Sequence, residues 1–176
     1  GPKGVGFLYV RKGVNIPSFI HGGAQERGRR AGTENLAGIV GMARALELSV
    51  DKMHENVEKE IHLRNYLVER VMREIEDVRY NGSSIYRLTG NASFSFKRVE
   101  ATALLVLLEE EGIIASAGSA CNSGSSRLSH VISAIKVPEE YAIGTIRFTL
   151  GEDTSREDID WTVESLKRNV KLLRMI

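Results

Sequence analysis

The sequence predicts an α/β fold, and three observations predict it. Ala92, Phe94 and Phe96, and later Ile146, Phe148 and Leu150, alternate with polar residues at the period-two spacing of half-buried strands. Val57, Ile61, Val68, Val71 and Ile75, and later Ile159, Val163, Leu166 and Val170, recur at steps built from threes and fours, the apolar stripe of amphipathic helices. The two kinds of segment interleave along the chain, separated by glycine and Asn-Gly punctuation.

Taken in order, Val5-Gly6-Phe7-Leu8-Tyr9-Val10 is an apolar strand candidate ended by the turn Arg11-Lys12-Gly13. Ser18 to Asn35 holds too much glycine for a helix and too few apolar residues for a strand, so it reads as a loop. Leu36 to Leu48 is helical, and a second run from Asp51 to Val78 adds Met53 and Val78 to the apolar stripe. These read as one long bent helix or two joined near Ser49. Asn81-Gly82-Ser83-Ser84 breaks the pattern, and a domain boundary is expected there or within the long helix. The strand at Ala92–Phe96 precedes a helix from Glu100 to Glu111 closed by Gly112, then a short strand Ile113-Ile114-Ala115. After a loop from Ser116 to Arg127 come a short helix Leu128–Ile135, a strand Thr145–Leu150, and a capping box in Thr154-Ser155-Arg156-Glu157. That box opens a final helix with Ile159, Val163, Leu166, Val170 and Leu173 on one face.

Composition narrows function by exclusion. With 42% hydrophobic and 27% charged residues over 176 positions, the chain has the make-up of a soluble globular protein with a real core. Lys and Arg total 24 against 23 acidic residues, so a net charge of +1 supplies no field that argues for nucleic acid or an anionic membrane as partner. No apolar run of about 18 residues and no secretion-signal pattern is present, so a cytoplasmic location is expected. The single cysteine cannot form an internal disulfide and has no ligand-spaced neighbours for a zinc site. The Gly-Pro-Lys-Gly start without Met suggests a piece of a longer protein.

Three places carry chemistry. In Ser116-Ala117-Gly118-Ser119-Ala120-Cys121-Asn122-Ser123-Gly124-Ser125-Ser126 the only cysteine sits among small and polar residues. It therefore reads as an accessible thiol in a mobile loop, either functional or incidental. In Thr145-Ile146-Arg147-Phe148-Thr149-Leu150, Arg147 falls on the polar side of its strand, where its guanidinium fork suits either a substrate carboxylate or a structural Asp or Glu. Arg29-Arg30-Ala31-Gly32-Thr33 runs into a helix start, which suits a phosphate; the alternative is a plain Thr33 cap beside solvated arginines. His54 and His62 read as surface residues, His130 as a conceivable neighbour of Cys121, and Glu109-Glu110-Glu111 as a solvated helix end. The arginines near Arg27 lack the interleaved aromatics of an RNA site.

These pieces resemble the NifS/IscS-like (group I) cysteine desulfurases, class-V aminotransferase relatives within the PLP-dependent transferases of fold type I, from the first residue to the last. Gly1 to Tyr9 looks like the segment after the cofactor-binding lysine, and Gly23 to Asn35 resembles the family's glycine-arginine loop. The resemblance implies the end of a large PLP-binding domain at 1–50, a connecting helix at 51–80, and a small C-terminal domain at 81–176 with the cysteine loop at 116–127. It implies pyridoxal 5'-phosphate as cofactor, Thr33 reaching the PLP phosphate of the neighbouring subunit, and hence a homodimer. It implies that Arg147 binds the carboxylate of L-cysteine and that Cys121 takes the substrate sulfur as a persulfide, leaving L-alanine. An Fe–S scaffold protein or another sulfur acceptor would then receive the sulfur, and Cys121 would serve as a transient ligand in a [2Fe-2S] contact with such a scaffold.

One departure matters. The family's Schiff-base lysine lies just before the segment where this chain starts, and Lys3 and Lys12 do not replace it by motif position. The polypeptide alone is therefore expected to be inactive, needing an N-terminal part that carries the lysine. The rival reading is a non-catalytic C-terminal half that docks a sulfur acceptor through the Cys121 loop; the joint presence of Cys121, Arg147 and Thr33 favours the enzyme. Another fold-type-I enzyme, such as an aminotransferase or a selenocysteine lyase, would not need the Ser-Ala-Cys loop.

Overall fold

The structure, a computed structural model, describes residues 1–117 and 129–175, and the chain divides into two units, Gly1–Met53 and His54–Ile176. In the first unit, residues Val5 to Val10 are irregular rather than a strand. A strand is stable only against a ladder partner that satisfies its backbone N–H and C=O groups. Among the described residues of this unit, the one pairing is the parallel bridge between Ile20 and Arg30. A single helical turn, α1 (Gln25–Gly28), bends through the left-handed region at Glu26 (φ 49°) and Arg27 (φ 58°). The longer helix α2 (Leu36–Asp51) follows.

The long helical run is two helices, and the break falls at Lys52 rather than near Ser49. Lys52 leaves helical geometry (φ −92°, ψ 0°) while its N–H donates to Leu48, and α3 (Met53–Glu74) then begins. Ser49 lies inside α2, where its hydroxyl donates to the Ala45 carbonyl at 2.8 Å, the back-bond open to serine within a helix. The core-facing stripe of α3 is Leu63, Leu67 and Val71, continued just past the helix end by Ile75, all buried, whereas Met53 and Ile61 are exposed. Val78, expected to end the helical stripe, lies instead in a strand.

The second unit is built on a four-stranded antiparallel sheet in the order β1-β2-β4-β3, with β1 Val78–Tyr80, β2 Asn91–Phe96, β3 Ser116–Ala117 and β4 Thr145–Thr149. The short strand expected at Ile113–Ala115 sits slightly later: β3 is Ser116–Ala117, so the first two residues of the expected loop pair with β4. The delay follows from how α4 (Ala101–Glu110) ends. Gly112 (φ 79°) donates to Glu109 and Ile113 donates to Leu108, a glycine-closed end that occupies the backbone before the chain can extend.

Period two gives the sheet two unlike faces. Ala92, Phe94, Phe96, Ile146 and Phe148 are buried with Leu104 and Leu108 of α4 and with the α3 stripe. Ile159, Val163, Leu166 and Val170 of α7 (Arg156–Leu173) complete this single core. Burying each such large side chain is worth about 1.5–3 kcal/mol, so this helix-covered face dominates the stability of the unit. Two short helices, α5 (His130–Ala134) and α6 (Glu139–Ala142), the latter not expected, share a small cluster of Ile132, Val137 and Ala142. The capping box of α7 is shifted by one residue from expectation. Ser155 is the cap and Asp158 its reciprocal partner, while Thr154 accepts from Gly151 N–H. Glu111 is not solvated as expected: it is half-buried, accepts from Asn169 at 3.0 Å and pairs with Arg168, tying the end of α4 to α7.

Candidate active site

The face of the sheet opposite the core is polar, and the register sets its side chains in rows. Ser93 on β2 and Ser116 on β3 are the direct cross-strand partners of Arg147 on β4. The row extends toward β1, where the Asn81 N–H donates to the Ser93 carbonyl at 2.8 Å. Arg147 is exposed, and among the described residues no carboxylate pairs with it, so the structural Asp or Glu weighed from sequence is not found there. A guanidinium flanked by hydroxyls and free of a protein counter-ion is a site for an anion, and its planar fork favours a carboxylate.

Next to this row, on the same face of the sheet, lies a buried hydrogen-bond chain that sequence reasoning missed. Thr145 Oγ1 donates to the Ala142 carbonyl at 2.8 Å, Ser95 Oγ lies 2.7 Å from Thr145 Oγ1, and Asn81 Nδ2 donates to Ser95 Oγ at 2.8 Å and to Ser93 Oγ at 3.2 Å. The available signal was the alternation in Asn91-Ala92-Ser93-Phe94-Ser95-Phe96, which puts a hydroxyl on one face wherever it puts an aromatic ring on the other. The loop after Asn81 is fastened by Arg87, which donates to the carbonyls of Ser83 (2.6 Å), Asn81 (2.6 Å) and Asn91 (3.2 Å) and lies 3.9 Å above the Tyr80 ring. Burial pushes the Tyr80 hydroxyl above its ordinary range and the Arg87 guanidinium below its own.

In the first unit, the cap of α2 is Asn35, whose side chain accepts from Gly38 N–H at 3.1 Å; Thr33 is exposed and is not the cap. Gly32 N–H donates to Gln25 Oε1 at 3.1 Å, and Arg30 donates to the Ala31 carbonyl. The Thr33 hydroxyl, not used as the cap, keeps its capacity for an outside group, and the same loop carries Arg27 and Arg29, both exposed.

Thr33 and Arg147 belong to different units, and Cys121 lies outside the described residues. What the structure brings together is thus Arg147 with Ser93 and Ser116. His130, the first residue of α5, is exposed, as are His54 and His62. Among the described residues no group of three or more His, Cys, Asp or Glu side chains could hold a metal, and no helix is long and apolar enough to cross a membrane.

Known proteins extend the picture. The chain is 50% identical over its whole length to a cysteine desulfurase IscS of Dictyoglomus turgidum and 45% identical over 99% of its length to one of Methanosarcina thermophila. It spans 45% and 43% of those relatives, so it corresponds to somewhat under half of each, their C-terminal part. Among solved structures, a NifS-like protein matches 93% of this chain with a TM-score of 0.82 at 33% identity, the match covering 41% of that protein. A NifS-like protein from Rickettsia africae matches 90% with a TM-score of 0.77 at 28% identity, again over 41% of its own chain. The expected α/β fold, of the kind shared by the fold-type-I PLP-dependent transferases, is therefore met. The aminotransferase class-V model matches residues 1–161, and the chain belongs to that family.

Proposed function

We infer that this chain is the C-terminal part of a PLP-dependent cysteine desulfurase, which converts L-cysteine to L-alanine and passes the sulfur through Cys121 to an acceptor. The observation that carries the reading is Arg147, exposed without a carboxylate partner among the described residues on the strand that resembles the family's substrate-carboxylate strand. In this reading residues 1–50 close a large cofactor-binding domain, and the part after α3 is the small domain that carries the substrate-binding strand and the cysteine. The reading places the enzyme in the cytoplasm as a homodimer.

The residues present fit the cofactor and the substrate. Thr33 has a hydroxyl not used in capping, in an arginine-bearing loop ahead of α2, and would hold a phosphate oxygen of PLP. PLP supplies an electron sink for the α-carbon of a bound amino acid. Arg147 fixes the substrate carboxylate in a bidentate grip, which sets the orientation of the rest of the molecule. Cys121, as thiolate, attacks the substrate sulfur: an S–S bond forms, the substrate C–S bond breaks with its electron pair staying on carbon, and protonation there completes L-alanine. The balance is one thiol and one cysteine in, one persulfide and one alanine out. Cys121 lies five positions beyond Ser116, which pairs with Arg147, and a five-residue tether reaches at most roughly 18 Å.

The test pairs this chain with the lysine-bearing part of the enzyme and PLP, then follows alanine release and the intact mass of this chain. L-Cysteine should yield alanine and add one sulfur atom to the wild-type chain, and Cys121→Ser should abolish both. Alanine release that survives Cys121→Ser would point to another fold-type-I enzyme, and no release under any loading would leave the docking-module reading. A Cys121→Ser protein that still hands over Fe–S clusters in full yield would remove the cluster-ligand role.

A further inference from the structure

The buried chain in the row next to Arg147 has a direction. Thr145 has one hydroxyl hydrogen, and the Ala142 carbonyl, an acceptor only, takes it. In the 2.7 Å contact between Ser95 and Thr145, Ser95 must then be the donor, which spends its only hydrogen. Ser95 can now only accept from Asn81, so the amide of Asn81 must face it with Nδ2 and not with Oδ1. The amide keeps this orientation although Oδ1 is buried with no hydrogen-bond partner among the described residues and the residue is 4% exposed. The second Nδ2 hydrogen goes to Ser93 Oγ at 3.2 Å, so Ser93 is an acceptor on its buried side and its own hydrogen points elsewhere.

Ser93 is half-buried, and what it faces along the row is Arg147, its direct partner across the strands. Opposed residues of this kind have Cβ atoms about 4.5–5.5 Å apart, so one small anion can meet both side chains. Building on the reading that Arg147 takes the substrate carboxylate, we propose that Ser93 is a second substrate-binding residue, donating its hydroxyl hydrogen to that carboxylate. The chain Thr145–Ser95–Asn81 makes Ser93 an acceptor toward Asn81, so its hydrogen is not spent on the amide. One hydrogen and one lone pair remain for the other directions, and an anion held by Arg147 selects the hydrogen.

The test is steady-state desulfuration in the complete PLP-loaded enzyme, comparing Ser93→Ala, Ser93→Thr and Arg147→Lys. Loss of a hydrogen bond to a charged group should raise the KM for L-cysteine about tenfold in Ser93→Ala with kcat within about twofold of wild type. Ser93→Thr, which keeps the hydroxyl, should restore KM. Cysteamine, which is L-cysteine without its carboxylate, serves as a competitor whose inhibition constant should be the same in wild type and Ser93→Ala. An unchanged KM in Ser93→Ala, or a KM and a cysteamine constant that rise together, overturns the proposal. If Arg147→Lys raises KM and Ser93→Ala does not, the Ser93 role alone fails; if Arg147→Lys leaves KM unchanged, the carboxylate site itself is misplaced.

Discussion

Gly144 occupies a place that no other residue can fill, because a Cβ there would lie 2.1 Å from the Phe96 carbonyl oxygen and 2.7 Å from that of Val99. The close approach has a purpose: Phe96 N–H donates to the Gly144 carbonyl at 3.0 Å, which sets the entry of β4 against β2 and so the row that contains Arg147. Gly144→Ala must push these backbones apart, at a cost of about 1–3 kcal/mol by analogy with overpacked cores. A lowered urea midpoint should be accompanied by weaker L-cysteine binding in the assembled enzyme. Arg147 was legible in sequence as an arginine in a period-two strand. Ser93, Asn81 and Gly144 were not, because their roles depend on what lies across the sheet, and register is a tertiary fact. Thr33 was misread as a candidate cap for a related reason: two residues of the capping type, Thr33 and Asn35, lie two positions apart, and only the backbone geometry shows that Asn35 serves.

At the scale of elements, α3 and α7 are fastened by a cluster of charges as well as by their apolar stripes. Arg70 contacts Glu74 at 2.7 Å, Asp160 at 2.7 Å and Glu164 at 2.9 Å, and Lys167 contacts Glu74 at 3.0 Å. The hydrogen bond from Arg70, helped by Lys167 and Arg73, holds the Glu74 carboxyl down to about 2 against the effect of burial. A depressed folded-state pKa means that Glu74 contributes stability above its ordinary value of 4.5, and that the contribution is lost as pH falls toward about 2. The urea midpoint, read from the fluorescence of Trp161, should therefore drop across that window, and Glu74→Gln should flatten the drop while lowering the midpoint at neutral pH. A drop equally steep in Glu74→Gln would place the acid sensitivity elsewhere. The long helices and long strands were legible because each carries its own period, whereas the four-residue helices α1 and α6 were not. The strand expected at Val5–Val10 does not form, since an apolar run says nothing about whether a ladder partner exists; β1 was not foreseen and β3 was placed too early, because two- and three-residue strands are shorter than any period that could reveal them.

For the whole molecule the question is what the two units can do without more protein around them. The second unit has a continuous core with both Phe94 and Phe96 at 0% exposure, whereas the first leaves Phe7, Leu8, Tyr9 and Phe19 between 70% and 94% exposed. Apolar side chains exposed to that degree suit a surface that another protein part covers, and they lie in the unit that carries Thr33. In the reading proposed above, the covering surface belongs to the lysine-bearing part of the enzyme, and the same contact would complete the cofactor site. Lys3 and Lys12 are both exposed, and in the same reading neither is the cofactor lysine. The 176-residue chain given PLP and L-cysteine by itself should therefore release no alanine, show no cofactor absorbance that survives gel filtration, and self-associate in light scattering. Adding the lysine-bearing part should restore a stable PLP chromophore and alanine release, and abolish the self-association. The coupling of the three is the informative result. Alanine release by the lone chain would mean that one of its own lysines holds the cofactor, and restored chromophore without loss of self-association would separate cofactor binding from the exposed apolar surface.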